Sequence, residues 1–124
     1  MPTANPSILI VDDDPFFLRL YSQQFMSAGF IVHAAATAAE ALSEAKRLKP
    51  KLMLLDLMLP DGDGLSVLKQ LKRQKETAAI RIVLLSNVSQ PAYREQARNL
   101  GAVEYLVKAY YEPSEIVSYL NTLL

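Results

Sequence analysis

An apolar run that ends on a single carboxylate constrains the fold of this chain more than any other feature. The run Leu52-Met53-Leu54-Leu55 leads directly into Asp56, and the turn-forming stretch Pro60-Asp61-Gly62-Asp63-Gly64 follows shortly after it. A short apolar run bounded by turn signals is typical of a strand buried on both faces of a parallel sheet. In open α/β sheets, ligands bind beyond the carboxyl ends of the strands. We therefore expect Asp56 to be a reactive carboxylate at a strand end.

Five strand patterns alternate with five helix patterns along the chain. The predicted strands are 7–11, 30–34, 52–56, 81–86 and 103–107, and helices are predicted to follow Asp14, Thr37, Gly64, Gln90 and Glu112. Parallel strands need long crossover connections, which the intervening helices provide. The pattern predicts one domain over residues 1–124. Such parallel sheets include the flavodoxin-like strand order 2-1-3-4-5, and we expect an α/β, flavodoxin-like (βα)5 three-layer sandwich with a parallel five-stranded sheet in that order.

Composition excludes several classes of protein. The formal net charge is +0 and there is no cysteine, so we expect no general attraction to nucleic acid or membranes, no disulfide and no thiol chemistry. The first six residues lack a basic region followed by an apolar signal core. No apolar run approaches the roughly 18 residues that span a bilayer. We expect a soluble, cytoplasmic protein.

All six aspartates lie in two loops, each directly after an apolar run. They are Asp12, Asp13, Asp14, Asp56, Asp61 and Asp63. In the predicted strand order the first and third strands are neighbours, so the two loops meet at the carboxyl edge of the sheet. Ser86 and Lys108 end the fourth and fifth strands at the same edge. We expect an acidic pocket there, with Asp14 as a helix cap and with Asp61 and Asp63 as turn formers.

Four segments together resemble the receiver domain of bacterial two-component response regulators. They are Ile8-Leu-Ile-Val-Asp-Asp-Asp-Pro15, Leu55-Asp-Leu-Met-Leu-Pro-Asp-Gly-Asp-Gly64, Leu84-Leu-Ser86 and Gly101-Ala-Val-Glu-Tyr-Leu-Val-Lys108. Each segment alone is weak evidence, but all four in order and at these spacings are specific. The resemblance covers essentially the whole chain.

The resemblance implies a chemical role for each strand end. Asp56 would be the phosphoacceptor that attacks a phosphohistidine of a sensor histidine kinase or phosphotransfer protein. Asp13, Asp56 and the backbone carbonyl of Met58 would bind Mg²⁺, with Asp12 reaching the metal through water. Lys108 would pair with the carboxylate and then with a phosphoryl oxygen.

The resemblance also implies a readout of phosphorylation. Ser86 would be the switch hydroxyl and Tyr105 the aromatic side chain that moves with it. The surface of the fourth helix, fifth strand and fifth helix would then bind a downstream protein or output domain, with homodimer formation through the same face left open. We expect no direct binding of nucleic acid by this chain, and no enzymatic activity beyond self-catalysed phosphotransfer and slow autodephosphorylation.

Elementary electrostatics favours the same set of residues. Three clustered carboxylates repel one another by about 4 kcal/mol per close pair at about 4 Å and an effective dielectric of about 20. A divalent cation and a lysine offset that repulsion, and Mg²⁺ prefers oxygen ligands.

Two departures from the family pattern stand out. Ala109 follows Lys108 where the family usually has a proline joined by a cis bond, and we predict a trans bond here. Tyr110-Tyr111 also replaces the usual sequence here, so we expect an unusual surface at the fourth helix, fifth strand and fifth helix.

Met58 and Val88 occupy positions that tune dephosphorylation in the family, and neither side chain can orient a hydrolytic water. We therefore expect a long-lived phosphoryl group.

Three other functions remain open from the sequence. A degenerate receiver would act as a phosphorylation-independent interaction module, although Asp13, Asp56 and Lys108 are all present. A Mg²⁺-dependent phosphohydrolase with an aspartyl-phosphate intermediate would need a separate acid or base and a substrate-closing cap. A flavodoxin would need a phosphate cradle in the first loop, which here is acidic.

Overall fold

The computed structural model describes residues 5–124, in which helices and strands alternate as the sequence predicts. The strands are β1 (Ser7–Val11), β2 (Ile31–Ala35), β3 (Leu52–Leu55), β4 (Met58–Leu59), β5 (Gly62–Asp63), β6 (Arg81–Ser86) and β7 (Glu104–Val107). The helices are α1 (Pro15–Ser27), α2 (Ala38–Leu48), α3 (Gly64–Arg73), α4 (Pro91–Asn99) and α5 (Pro113–Asn121), with a 3₁₀ turn at Lys108–Tyr110.

The main sheet is parallel and has five strands in the order β2-β1-β3-β6-β7. Counted along the main sheet alone, this is the predicted 2-1-3-4-5 order, and the predicted fold class is confirmed. The boundaries differ slightly, since β2 and β7 begin one residue later than predicted and β3 ends at Leu55 rather than at Asp56. The flavodoxin-like order places β1 and β3 side by side, with Val11 opposite Leu55.

The interior strands are apolar on both faces because helices cover both faces. Along β1, Ile8 and Ile10 pack towards α1 and α5, whereas Leu9 and Val11 pack towards α2, α3 and α4. All four residues of β3 are buried. This two-sided burial is the reason that the run reads as continuously hydrophobic in the sequence.

Side-chain caps start several of the helices. Asp14 accepts from the Phe16 N–H at 3.0 Å, Thr37 from the Glu40 N–H at 3.1 Å, and Asp63 from the Ser66 N–H at 2.8 Å. The sequence predicted the Asp14 cap and a helix that begins after Thr37. Asp63 does more than form a turn, because its carboxylate caps α3.

Asp61 lies in a turn, as predicted, and also makes contacts that the sequence did not indicate. It lies in the turn of the β4–β5 hairpin, which the sequence did not predict. Its two carboxylate oxygens accept from the backbone N–H groups of Ala38 and Ala39, at 2.6 and 3.0 Å. The hairpin after Asp56 is thereby attached to the amino end of α2, a favourable place for a negative charge.

Within residues 5–124, no helix has the length and apolar character needed to cross a membrane. The expectation that the opening residues carry no signal segment falls largely on positions 1–4, which lie outside the described residues.

Candidate functional site

The backbone of the sheet positions the two acidic loops. The N–H of Asp12 donates to the carbonyl of Ala35 and the N–H of Asp56 donates to the carbonyl of Val11, both at 3.0 Å. The parallel hydrogen-bonding pattern therefore continues for one residue beyond β1 and β3. These bonds hold both aspartates at the carboxyl edge, as the strand pattern predicts.

Three carboxylates meet at this edge. One oxygen from each of Asp12, Asp13 and Asp56 lies within 4.8 Å of the other two. Asp12 is 1% exposed and Asp56 is 8% exposed, whereas Asp13 faces solvent. The cluster therefore joins two buried carboxylates to one that is open to solvent.

Lys108 reaches the cluster from the end of β7. Its Nζ donates to Asp12 Oδ2 at 2.7 Å and to Asp56 Oδ2 at 3.4 Å. No peptide bond in the described chain is cis, so the Lys108–Ala109 bond is trans, as predicted. The lysine pairs more closely with Asp12 than with Asp56, which the sequence did not indicate.

The surroundings change the proton affinities of both partners. Burial raises the pKa of the Asp56 carboxyl, the Lys108 ammonium opposes that rise, and the charge of Asp12 adds to it. Burial acts to lower the pKa of Lys108, but the hydrogen bond to Asp12 and the charge of Asp56 outweigh it and leave that pKa raised. Lys108 therefore carries its positive charge at neutral pH.

The donor set fits a hard divalent cation. Three carboxylates and one ammonium leave a formal charge of about −2 in a pocket open to solvent, and the clustered atoms are all oxygens. Mg²⁺ binds such sites through one or two carboxylates and keeps several waters. Asp13 and Asp56 would hold the ion directly, and Asp12 would reach it through water.

The loop after Asp56 folds tightly against it. The N–H of Met58 donates to Asp56 Oδ1 at 3.4 Å, and the N–H of Gly64 donates to the carbonyl of Leu57 at 2.6 Å. A Cβ at position 64 would lie 2.3 Å from the carbonyl oxygen of Asp56. Only glycine allows α3 to begin this close to the acidic pocket.

Ser86 and Tyr105 both contact one loop, which connects β6 to α4. Ser86 is buried, and its Oγ accepts from the N–H of Val88 at 3.3 Å. The Tyr105 hydroxyl donates to the carbonyl of Val88 at 2.7 Å. Tyr105 is 4% exposed, so its ring is buried next to this loop. Burial raises the pKa of Tyr105, which keeps its hydroxyl protonated as a donor.

The predicted site residues therefore lie together at one edge. Asp12, Asp13, Asp56 and Lys108 form the pocket, Met58 lies beside it, and Ser86 and Tyr105 are joined through Val88.

Sequence reasoning missed two contacts at the pocket. The Nζ of Lys108 lies 4.2 Å from the centre of the Phe17 ring, a contact that the sequence did not indicate. The close approach of Gly64 to Asp56 was also missed. The Asp-Gly pair before an apolar helix pattern was the available signal for Gly64, whereas nothing local indicated the role of Phe17.

The chain matches the family model for the response regulator receiver domain over residues 8–121. The DNA-binding dual master transcriptional regulator RpaA of Synechocystis sp. is 36% identical over 119 residues, which are 96% of this chain and 49% of that protein. The alkaline phosphatase synthesis transcriptional regulatory protein PhoP of Bacillus subtilis is 33% identical over 120 residues, 97% of this chain and 49% of PhoP. The chain thus spans about half the length of these curated relatives.

Solved structures resemble the whole described fold. The chemotaxis protein CheY4 of Vibrio cholerae superposes with a TM-score of 0.90 at 26% identity, covering 98% of this chain and all of that one (100%). The BeF3-activated N-terminal receiver domain of Klebsiella pneumoniae RstA gives 0.84 at 28% identity, covering 94% and 96%. Receiver domains are the phosphorylation-controlled signalling modules of response regulators. By fold, acidic cluster and family match, this chain belongs to the response regulator receiver domains.

Proposed function

We propose that Asp56 is the phosphoacceptor of this receiver, and that residues 1–124 form a single receiver domain in the cytoplasm. The observation that carries the proposal is the placement of the Asp56 carboxylate. It lies within 4.8 Å of the carboxylates of Asp12 and Asp13, and it accepts from the Lys108 ammonium at 3.4 Å. The donor would be a phosphohistidine of a sensor histidine kinase or a phosphotransfer protein.

In the proposed transfer, a carboxylate oxygen of Asp56 attacks the phosphorus atom and forms a new P–O bond. The P–N bond to the histidine breaks, and its electron pair stays on the imidazole nitrogen. Phosphoryl transfer needs little covalent help from the protein, so catalysis consists of positioning and of neutralising the charge that spreads over the phosphoryl oxygens. Bound Mg²⁺ would supply part of that neutralisation.

Lys108 would supply the rest. Its Nζ already lies within 3.4 Å of Asp56 and carries three N–H donors. We propose that it turns from the Asp56 carboxylate to a phosphoryl oxygen once the bond has formed. The Met58 carbonyl is our proposed backbone ligand for the metal.

Ser86 and Tyr105 would then read the state of Asp56. An acyl phosphate would bring about two negative charges and new acceptor oxygens to the pocket, by analogy with other phosphorylated side chains. The Ser86 hydroxyl would donate to one of these oxygens. Ser86 and Tyr105 are joined to the same peptide segment at Val88. A movement of Ser86 would therefore pull on the loop that Tyr105 holds.

The output surface would be formed by α4, β7 and α5. Tyr110 is 68% exposed and Tyr111 is 40% exposed beside this face, where Arg94 pairs with Glu104 at 3.1 Å. We propose that a downstream protein or an output domain binds here in a phosphorylation-dependent way, with a homodimer as one form of this contact. This chain itself would not bind nucleic acid directly.

The phosphorylated form of the proposed switch would lose its phosphoryl group slowly, without help from another protein. Met58 is 66% exposed at the mouth of the pocket, and Val88 packs partly against the core. Neither side chain has a polar group to orient water towards the phosphorus atom. We propose slow autodephosphorylation and no turnover of added phosphoesters.

The test is phosphorylation by phosphoramidate and Mg²⁺, followed by intact-mass measurement. We expect one phosphoryl group on the wild-type chain and none on Asp56→Asn. Asp63→Asn is the matched control, because Asp63 is an aspartate of the same loop that caps α3, and it should be labelled like the wild type. If Asp56→Asn were still labelled, another residue would be the phosphoacceptor. An unlabelled wild type would indicate a degenerate receiver.

A further inference from the structure

We propose that Phe17 is a positioning residue for Lys108, and that its ring holds the ammonium at the carboxylate cluster, beside the phosphoacceptor. The inference rests on the proposed function of Lys108 but concerns a residue that the family pattern did not single out. It is carried by one geometric fact, the stacking of the lysine ammonium over the phenylalanine ring.

The ring lies at the right distance and is itself held in place. The Nζ of Lys108 is 4.2 Å from the centre of the Phe17 ring, well within the roughly 6 Å over which an aromatic face attracts a cation. The Phe17 ring stacks on Tyr21, with centroids 4.1 Å apart and an interplanar angle of 22°. Tyr21 is 4% exposed in the core beneath α1. The ring is therefore a fixed surface.

Lys108 benefits from such a surface because its other contacts do not hold the ammonium specifically on Asp56. The residue follows the end of β7, and the Lys108–Tyr110 turn that it begins carries no side-chain cap. A lysine side chain is a flexible stem with a compact charge at its end. Its two carboxylate contacts are unequal, 2.7 Å to Asp12 and 3.4 Å to Asp56. The ring adds a third contact that keeps the ammonium at the cluster, within 3.4 Å of the Asp56 carboxylate.

An aromatic face restrains the lysine without competing for its hydrogen bonds. A third carboxylate in this position would occupy an N–H donor and neutralise the charge that the phosphoryl oxygens need. The ring attracts the cation through its quadrupole and occupies none of the three N–H donors, which remain available to Asp12, Asp56 and a phosphoryl oxygen. Because the side chain of Lys108 is only 17% exposed, water screens this attraction less than it would at the surface.

The first experiment measures the rate of phosphorylation by phosphoramidate at saturating Mg²⁺. We expect Phe17→Leu, which keeps an apolar side chain but removes the ring, to slow labelling about fivefold. Phe17→Tyr keeps the ring and should restore the wild-type rate. Phe16→Leu is the matched control, because this neighbour on α1 is 72% exposed and should leave the rate unchanged.

The second experiment separates positioning from general packing. If Phe17 acts through the lysine, Phe17→Leu should have no further effect on the rate in a Lys108→Met background, whereas a packing defect would slow both backgrounds equally. The ε-methylene protons of Lys108 should also show an upfield ring-current shift by NMR in the wild type and in Phe17→Tyr, but not in Phe17→Leu.

Three results would overturn the inference: equal rates for Phe17→Leu and wild type, an additive effect in the Lys108→Met background, or a missing ring-current shift in the wild type. The NMR measurement needs no phosphorylation. A failure of Asp56 to accept phosphate would therefore contradict the proposed function while leaving the Phe17–Lys108 contact to be judged on its own spectrum.

Discussion

The carboxyl edge of the sheet and the interior of the same strands are built on opposite principles. Within β3, every residue from Leu52 to Leu55 is buried and apolar. One residue further on, Asp56 is also buried, but it lies in a cluster of three carboxylates with Lys108 as the one cation that contacts them among the described residues. The interior removes apolar surface from water, whereas the edge holds like charges close together.

This difference separates the region that stabilises the fold, the apolar interior, from the region that binds charged groups, the carboxyl edge. Burial of aliphatic side chains is the main favourable contribution to folding. Clustered carboxylates oppose folding unless a cation neutralises them. The edge can remain electrostatically unfavourable because the strands beneath it are held by apolar packing and by helices on both faces. A cation or a phosphoryl group would therefore bind at a site that already carries an excess of negative charge.

The largest expected effect tests the interior. Leu54→Ala should lower the free energy of unfolding by about 2–5 kcal/mol, because it leaves a cavity in the packed layer between the sheet and α1 and α5. Urea denaturation measures it. Ile31→Ala on the edge strand β2, where the side chain is 48% exposed, is the matched control and should cost much less. Equal losses at the two positions would mean that burial does not distinguish them.

The second prediction concerns the charged edge. The stability difference between the wild type and Asp13→Asn should change sign when Mg²⁺ is added. Without divalent cations, Asp13→Asn should raise the free energy of unfolding by up to about 1 kcal/mol, because it removes a repelling but exposed charge. With Mg²⁺ at about 100 times its dissociation constant, the wild type should gain about 2.7 kcal/mol and become the more stable of the two.

Thermal unfolding with and without Mg²⁺ measures this reversal, and Asp63→Asn, outside the cluster, should show none. If Asp13→Asn were the less stable protein both with and without Mg²⁺, charge repulsion within the pocket would not contribute significantly to the free energy of unfolding.

The smallest expected effect concerns the attachment of the β4–β5 hairpin to α2. The N–H groups of Ala38 and Ala39 hold the pKa of Asp61 below its ordinary value of 3.8. A lowered pKa in the folded state stabilises the fold above the unfolded pKa, and that stabilisation is lost as the pH falls through the folded pKa. The wild type should therefore unfold at a higher temperature than Asp61→Asn at neutral pH, with the gap shrinking below about pH 4.

Melting curves across this pH range check the prediction. Glu40→Gln provides a comparison at the same helix end, where the Glu40 carboxylate accepts from the Ala36 N–H at the longer distance of 3.4 Å. A gap between wild type and Asp61→Asn that stays constant with pH would show that the charge of Asp61 contributes nothing.

Most of the fold was predictable because its signals are local. The apolar runs that end at Val11 and Leu55, and the caps at Asp14 and Thr37, depend on residues within a few positions of one another. Strand ends were less predictable, since β3 stops at Leu55 while the hydrogen-bonding pattern continues through the Asp56 N–H. The β4–β5 hairpin was missed because each of its strands has only two residues.

The sequence by itself determined the alternation of strands and helices, the gathering of all aspartates into two loops, and the family. These follow from periodicity, from residue type at strand ends and from spacing along the chain. Only the tertiary structure decided that Lys108 lies nearer to Asp12 than to Asp56, that Asp61 holds the amino end of α2, and that Phe17 lies beneath the lysine. These contacts join residues far apart in the chain, and no local pattern encodes a distance that exists only once the sheet has brought its strand ends together.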